Sequence, residues 1–194
     1  MLLSGKMIKM SKANKKIACL DTDVIIKMSR NNSGLLQRII DIFDKCYLHE
    51  RVYQEVKWPE ETVKLLNKLI NANKIVLITD KELFNKLEIK ELFLDSLKQA
   101  LEIFGIDYSN LYSKLENYLN EPDRLIAELE DIDRTIEDNI GEIRTLQMII
   151  LLRDIEKEKI NYFISDDRRA RNAVVLKYKI HKIYSAGGKQ IVHL

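Results

Sequence analysis

Short apolar runs alternate along the chain with segments whose apolar residues recur every three or four positions. The runs are typical of buried strands, and the periodic segments are typical of helices that bury one face. We predict strands at residues 17–20, 45–48, 74–78, 162–164 and about 180–184. Because strands that alternate with helices form parallel sheets covered on both faces, the pattern predicts an α/β class, three-layer α/β/α fold around a central parallel sheet.

The alternation is interrupted between residues 81 and about 138. Two apolar stripes at helical spacing, at 108–119 and 125–136, predict a helical insert in this part of the chain. Residues 15–194 are predicted to form one domain that carries the insert, since 194 residues is the size of a single α/β domain. Residues 1–14 form an N-terminal extension to which the pattern assigns no role.

Composition indicates where the protein is found but does not indicate its function. The net charge of +2 does not by itself indicate a nucleic-acid-binding protein, so any basic surface has to be local. Cys19 and Cys46 lie in apolar runs and are expected to be reduced thiols of the core. No apolar run has the length of a signal peptide core or of a membrane span, and we therefore expect a cytoplasmic protein.

Acidic residues stand where two predicted strands end. Asp21 follows the first strand directly, and Asp166 and Asp167 follow the fourth strand after one serine. Sites in parallel sheets form beyond the carboxyl ends of the strands, so these acids are expected at one edge. Glu55 and Glu142 lie on predicted helices beside apolar residues that face the sheet, and we expect them to converge on the same place.

Clustered carboxylates favour a divalent metal ion. Like charges repel and raise one another's pKa, and a bound cation relieves that repulsion. Mg²⁺ or Mn²⁺ is the expected ion, because both prefer oxygen ligands and bridge phosphate oxygens. The chemistry that fits this arrangement is hydrolysis of a nucleic-acid phosphodiester by a metal-activated water.

Each acid also has a purely structural interpretation. Asp21 and Asp166 are candidate helix caps, and residues 139–142 have the form of a capping box in which Glu142 reaches back to Asn139. Glu55 is a candidate ion-pair partner of Arg51, four residues earlier. The case for a site therefore rests on the coincidence of positions.

Four segments resemble the motifs of the PIN-domain nucleases, which include the toxin ribonucleases of toxin-antitoxin pairs. Residues 20–26 (LDTDVII) are similar to the opening motif, and residues 48–56 (LHERVYQEV) to the second. Residues 139–142 (NIGE) and 164–171 (ISDDRRAR) are similar to the Gly-Glu and Asp-acidic-x-x-Ala-Arg motifs of one branch of the family. A glycine-containing turn at 185–188 (SAGG) completes the resemblance.

The resemblance implies a role for each of these residues. Asp21, Glu55, Glu142 and Asp166 would be the catalytic residues and would ligate one or two Mg²⁺ or Mn²⁺ ions. Asp167 would be a further metal ligand, and Thr22 and Asp23 would orient Asp21. The implied activity is that of an endoribonuclease, which hydrolyses RNA without a covalent intermediate and acts as the toxin of a toxin-antitoxin or defence system.

The insert departs from the family pattern, since its members join the third strand to the Gly-Glu helix by a much shorter segment. Residues 116–138 are rich in Glu and Asp, which suits a protein partner such as a cognate antitoxin, or a second copy of the chain, better than RNA. The alternative is that its two stripes simply pack on each other and on the domain. Basic residues beside the predicted site, Arg168 and Arg169 above all, are the expected RNA contacts.

Two other functions compete with this one. A catalytically inactive PIN-like binding or scaffold subunit would keep the fold and use the insert as its working surface. A phosphoryl-accepting receiver domain would use Asp80, after the third strand, beside Asp21 and Asp23. Trp58 and the tyrosines of the insert are expected in the core rather than as platforms for stacked bases.

Overall fold

The computed structural model describes residues 15–31, 33–136, 139–155, 160–165 and 181–183, and of residues 31, 33 and 181–183 only the backbone. Its strands are β1 (Ile17–Leu20), β2 (Lys45–His49), β3 (Ile75–Ile78), β4 (Tyr162–Ile164) and β5 (His181–Ile183). Its helices are α1 (Thr22–Asn31), α2 (Ser33–Ile40), α3 (Glu50–Glu55), α4 (Glu60–Asn71), α5 (Asp80–Lys86), α6 (Glu91–Ile103), α7 (Ser109–Glu116), α8 (Pro122–Ile136) and α9 (Ile140–Ile155).

The five strands form one sheet in the order β3-β2-β1-β4-β5, and each neighbouring pair is parallel. In the register, Ala18 lies opposite Cys46 on one side and Tyr162 on the other. The strand order reverses direction at β1, whose carboxyl end lies between those of β2 and β4. Ligands of open parallel sheets bind at such a reversal, so the topology places Asp21 at the position where a site is expected.

Alternate residues of the strands enter two separate cores. Ala18 and Leu20 pack with the helices α1 to α4, whereas Ile17 and Cys19 pack with residues of α5 to α9. Successive side chains of a strand point to opposite faces, which explains the division. The fold is thus α/β, with a parallel sheet between two helical layers, as the sequence pattern predicted.

The segment between β3 and α9 belongs to the second core. Leu115 of α7 and Leu125, Leu129 and Ile132 of α8 are buried in it, together with residues of α6 and α9. The first stripe ends earlier than predicted, because α7 stops at Glu116 and a turn leads to Pro122, the first residue of α8. Proline favours the first position of a helix and a non-helical residue before it.

Two further sequence expectations concern the cysteines and the presence of membrane-spanning helices. Cys19 and Cys46 are free and buried, and burial raises the pKa of Cys46 to about 12. Within the described residues, no helix combines the length and the apolar character that crossing a membrane requires.

Candidate functional site

Asp21 occupies the carboxyl end of β1, where its backbone N–H donates to the carbonyl of Ile164, 3.1 Å away on β4. Its side chain is buried, and its carboxylate accepts two hydrogen bonds. The Ser165 hydroxyl donates to Oδ2 at 2.5 Å, and the N–H of Thr22 donates to Oδ1 at 2.7 Å. Two neighbouring strand ends therefore hold this carboxylate in a fixed orientation.

The pKa of Asp21 is raised to about 6, mainly by burial and to a smaller extent by the charges of Asp23 and Glu55, whereas the two hydrogen bonds lower it. An ionised carboxylate at this position is consequently unfavourable in the protein alone. A bound cation would remove that penalty, since opposite charge favours the ionised form. The surroundings of Asp21 would therefore favour contact with a cation.

Glu55 is the last residue of α3, and it links two segments that are far away in sequence. Its Oε2 accepts the hydroxyl proton of Thr22 at 2.5 Å, and its Oε1 accepts the N–H of Gly141 at 3.1 Å. Arg51 forms no pair with it and instead contacts Gln54 and Asp133. The simple i,i+4 ion pair is therefore not the role of this glutamate.

Gly141 in the first turn of α9 makes this approach possible. A Cβ atom at this position would lie 2.8 Å from Oε2 and 2.9 Å from Oε1 of Glu55, closer than real Cβ contacts come. A larger residue would push the carboxylate away from the helix end, where the backbone N–H groups carry partial positive charge. Glycine is therefore required at position 141 for steric reasons if Glu55 is to approach the helix end this closely. Glu142, the second residue of the Gly-Glu pair, follows it directly.

The structure consequently joins the start of α1, the end of α3, the start of α9 and the end of β4 by hydrogen bonds around Asp21 and Glu55. Asp21, Glu55 and Glu142 do not form a group whose ligand atoms all lie within 4.8 Å of one another. The predicted site residues Asp166, Asp167, Arg168 and Arg169 lie outside the described residues, and their roles stay predictions. Asp166 directly follows Ser165 in the sequence.

Asp23 and Ser165 differ from the expectation in their contacts. Asp23 faces solvent, with its Oδ2 3.9 Å from Lys27 Nζ, and no hydrogen bond joins it to Asp21 among the described residues. Ser165, to which the sequence analysis gave no role, donates to Asp21. Its position one residue after a strand, immediately before the paired aspartates, is the signal that marks it.

A second group of polar side chains is buried except for Arg51, which is partly exposed. We use the term buried ion network for Arg51, Asp80, Asp133 and Arg144 together with His49. Arg144 Nη2 lies 2.6 Å from Asp133 Oδ1, and Arg51 Nε lies 2.8 Å from Asp133 Oδ2. Arg144 Nε lies 4.0 Å from Asp80 Oδ2, and His49 Nε2 lies 3.2 Å from Asp80 Oδ1. Four helices thus meet through ion pairs, and strand β2 joins them through the hydrogen bond from His49.

His49, Glu50 and Asp80 form the one group of three potential metal ligands within 4.8 Å in the described part of the chain. Their ligand atoms are nevertheless engaged. His49 Nδ1 accepts the Arg51 N–H, so Nε2 carries the proton of a neutral ring and donates it to Asp80. Arg144 adds a fixed positive charge close to Asp80. Glu50 Oε1 in turn accepts the Asp80 N–H. We conclude that this group is a poorer site for a cation than the surroundings of Asp21, because its ligand atoms already have partners and Arg144 repels a cation.

The same contacts argue against a receiver domain. Burial alone would raise the pKa of Asp80, but the charge of Arg144 and the hydrogen bond from His49 lower it well below its ordinary value. Asp80 is 2% exposed, and both of its oxygens face these partners. A phosphoryl donor therefore has no open approach to this carboxylate.

Trp58 was expected in the core, and this expectation is wrong. The indole is 66% exposed, three residues beyond Glu55, with the guanidinium of Arg30 4.7 Å from the ring centroid. Its place in the loop between α3 and α4 explains the difference, since no strand or helix face carries it inward. Tyr108, by contrast, is buried as expected.

Replacement of Asp133 by Asn should destabilise the protein strongly. The change leaves two guanidinium groups without their carboxylate, and loss of one partner of a buried ion pair costs about 3–5 kcal/mol. Asp131→Asn on the same helix is the control, because Asp131 is exposed and its pair with Arg134 is worth at most about 1 kcal/mol. Chemical denaturation of both variants measures the difference, and equal stabilities would contradict the network.

Replacement of Asp21 by Asn should stabilise the metal-free protein above pH 6. The folded state holds a proton on Asp21 up to about pH 6, compared with 3.8 for the free side chain. Ionised Asp21 therefore weakens folding by up to about 3 kcal/mol above that range, and the penalty disappears below about pH 4. Free energies of unfolding against pH in EDTA test this, with Asp23→Asn as the exposed control; a loss of stability in Asp21→Asn at about pH 8 would refute it.

Comparisons with protein-family models, with curated proteins and with solved structures find no match to this chain. The resemblance of its motifs to those of PIN-domain nucleases therefore rests on the residues themselves. Any function has to be argued from the geometry of the site.

Proposed function

We propose that the protein is a PIN-like, Mg²⁺- or Mn²⁺-dependent endoribonuclease. The observation that carries the proposal is the position of the Glu55 carboxylate, between Thr22 of the first motif and Gly141 of the third. Residues of three motif segments are thereby in contact beside buried Asp21, although 86 residues separate Glu55 from Gly141. Simple capping of separate helices would not bring these segments together.

The donor set fits a hard divalent cation. The proposed ligands Asp21, Glu55, Glu142, Asp166 and Asp167 offer only carboxylate oxygens, which Mg²⁺ and Mn²⁺ prefer. The raised pKa of Asp21 supports the same conclusion, because a cation would be the natural partner of that buried charge. When bound, the ion would supply an activated water and neutralise charge on the scissile phosphate.

The chain's own residues would prepare this chemistry. The Ser165 hydroxyl and the Thr22 N–H orient the Asp21 carboxylate, and the Thr22 hydroxyl and Gly141 orient Glu55. The start of α9 brings partial positive charge towards a phosphate. Arg168 and Arg169 would contact the RNA backbone.

The biological role that we propose is that of a cytoplasmic toxin of a toxin-antitoxin or defence system. Its partner at the acidic insert would be an antitoxin, another protein or a second copy of the chain.

One observation favours a catalytically inactive, PIN-like scaffold as the second candidate. Both oxygens of Glu55 already accept hydrogen bonds from within the chain, as they would in a purely structural role. A carboxylate has about four lone-pair sites, however, so two hydrogen bonds leave room for a metal ion. The two candidates therefore differ in metal-dependent cleavage and not in fold.

Cleavage of single-stranded RNA should require Mg²⁺ or Mn²⁺ and should stop in EDTA. Glu142→Gln and Asp166→Asn should each lower the rate by at least about a hundredfold, since even residues outside the ligand shell of a metal are worth 10–100-fold. Gel assays of purified variants with preserved thermal unfolding measure the effect. No cleavage by the parent on several RNAs with either ion would favour the scaffold.

Two further variants make the test specific. Gly141→Ala inserts a methyl group against the Glu55 carboxylate, which can swing away at little cost to the fold, and alanine is the better helix former. We therefore expect this variant to be as stable as the parent but strongly impaired in cleavage.

Glu50→Gln tests the rival cluster beside His49 and Asp80, and full activity there together with loss in Glu142→Gln would locate the chemistry at Asp21.

A further inference from the structure

We infer that Trp58 and Arg30 form a platform on which a base of single-stranded RNA stacks beside the site. This inference rests on the proposed function, because it names where the substrate strand of that same site would run. Most of the indole surface is open to solvent, which is unusual for the largest apolar side chain. Aromatic side chains on which bases stack, with cation–π contributions from arginine, are a common means of binding single strands without sequence preference.

The platform has a fixed relation to the candidate site. Thr22 begins α1 and touches Glu55, while Arg30 lies in the last turn of the same helix, about 12 Å further along. Trp58 follows Glu55 by three residues, so the two chain segments that meet at the site meet again at the Arg30–Trp58 contact. A strand that passes the Asp21 carboxylate along α1 would therefore reach the indole.

The charges around the indole suit a phosphate backbone. Arg30 and Lys57 are exposed, and Lys27 lies on α1 between Thr22 and Arg30. Of the acids close in sequence, Glu60 is paired with Lys64 at 2.7 Å, Asp23 lies 3.9 Å from Lys27, and Glu61 is exposed, so four basic residues stand against three acidic ones. The acidic outer face of α8, in contrast, belongs to the opposite helical layer of the sheet. Local positive charge is what a near-neutral chain needs in order to attract a nucleic acid.

Trp58 is the one tryptophan of the chain, so its fluorescence reports on this platform alone. Titration with a short oligouridylate in EDTA, where the proposed cleavage cannot occur, should quench the emission saturably, and added salt should weaken the binding. Anisotropy of the labelled oligonucleotide should show an affinity about tenfold lower for Trp58→Ala and partly restored for Trp58→Phe. Arg30→Gln should also weaken binding.

The controls are exposed residues elsewhere. Arg38→Gln on α2 and Ile89→Ala between α5 and α6 remove a similar charge and a similar apolar surface, and both should bind RNA like the parent. Unchanged affinity in Trp58→Ala, or no quenching, would overturn the platform. A shift of Trp58→Ala from dimer to monomer in sedimentation, with unchanged RNA affinity, would overturn it too and would mark an interface between copies.

The test separates the platform from the proposed function. Quenching with the expected variant pattern but no cleavage under Mg²⁺ or Mn²⁺ would support the platform and refute the nuclease. Metal-dependent cleavage that is insensitive to Trp58→Ala, without quenching by the oligonucleotide, would support the nuclease and overturn the platform.

Discussion

The arrangement of the helices around the candidate site depends on one buried cation, the guanidinium of Arg144. It lies in α9, is 1% exposed, and pairs with Asp133 of α8 and Asp80 of α5. An unpaired charge at this depth would be prohibitive, so the two carboxylates must lie where they do. Its Nη1 also donates to Gln147, whose side chain donates to the Phe93 carbonyl of α6. The insert is therefore attached to α9 by directional contacts as well as by apolar packing.

The arginines of the buried ion network lie close along their helices to the residues of the candidate site. Arg144 lies three residues after Gly141 on α9, and Arg51, which also pairs with Asp133, lies four residues before Glu55 on α3. One turn separates each arginine from a residue of the Glu55–Gly141 contact. The buried ion network thus fixes the two helix ends between which the carboxylate sits. The Asp21 side chain, held by Ser165 and Thr22, is the part of the site that the sheet itself positions.

The sequence was sufficient for the elements and their order. The apolar runs at 17–20 and 162–164 are strands with those bounds, because buried parallel strands leave a continuous hydrophobic signal. The position of Glu55 next to Thr22 agrees with its place beside Val52 and Val56 on a helix face that was expected to turn toward the sheet. The network around Arg144 could not be foreseen: its members are ordinary surface residue types, and only the tertiary fold makes them partners. The exposure of Trp58 was missed because an aromatic residue usually predicts burial. Trp58 lies in a loop, and the path of a loop decides whether such a side chain reaches the core.

We propose that carboxylates from distant segments would hold a divalent ion at the carboxyl end of β1. The decisive experiment is a crystal structure of the protein soaked in Mn²⁺, with anomalous difference density. We expect a peak in direct contact with the Asp21 carboxylate and with at least one of Glu55, Glu142 and Asp166. A peak only between His49, Glu50 and Asp80, or no peak under conditions that support activity, would contradict it.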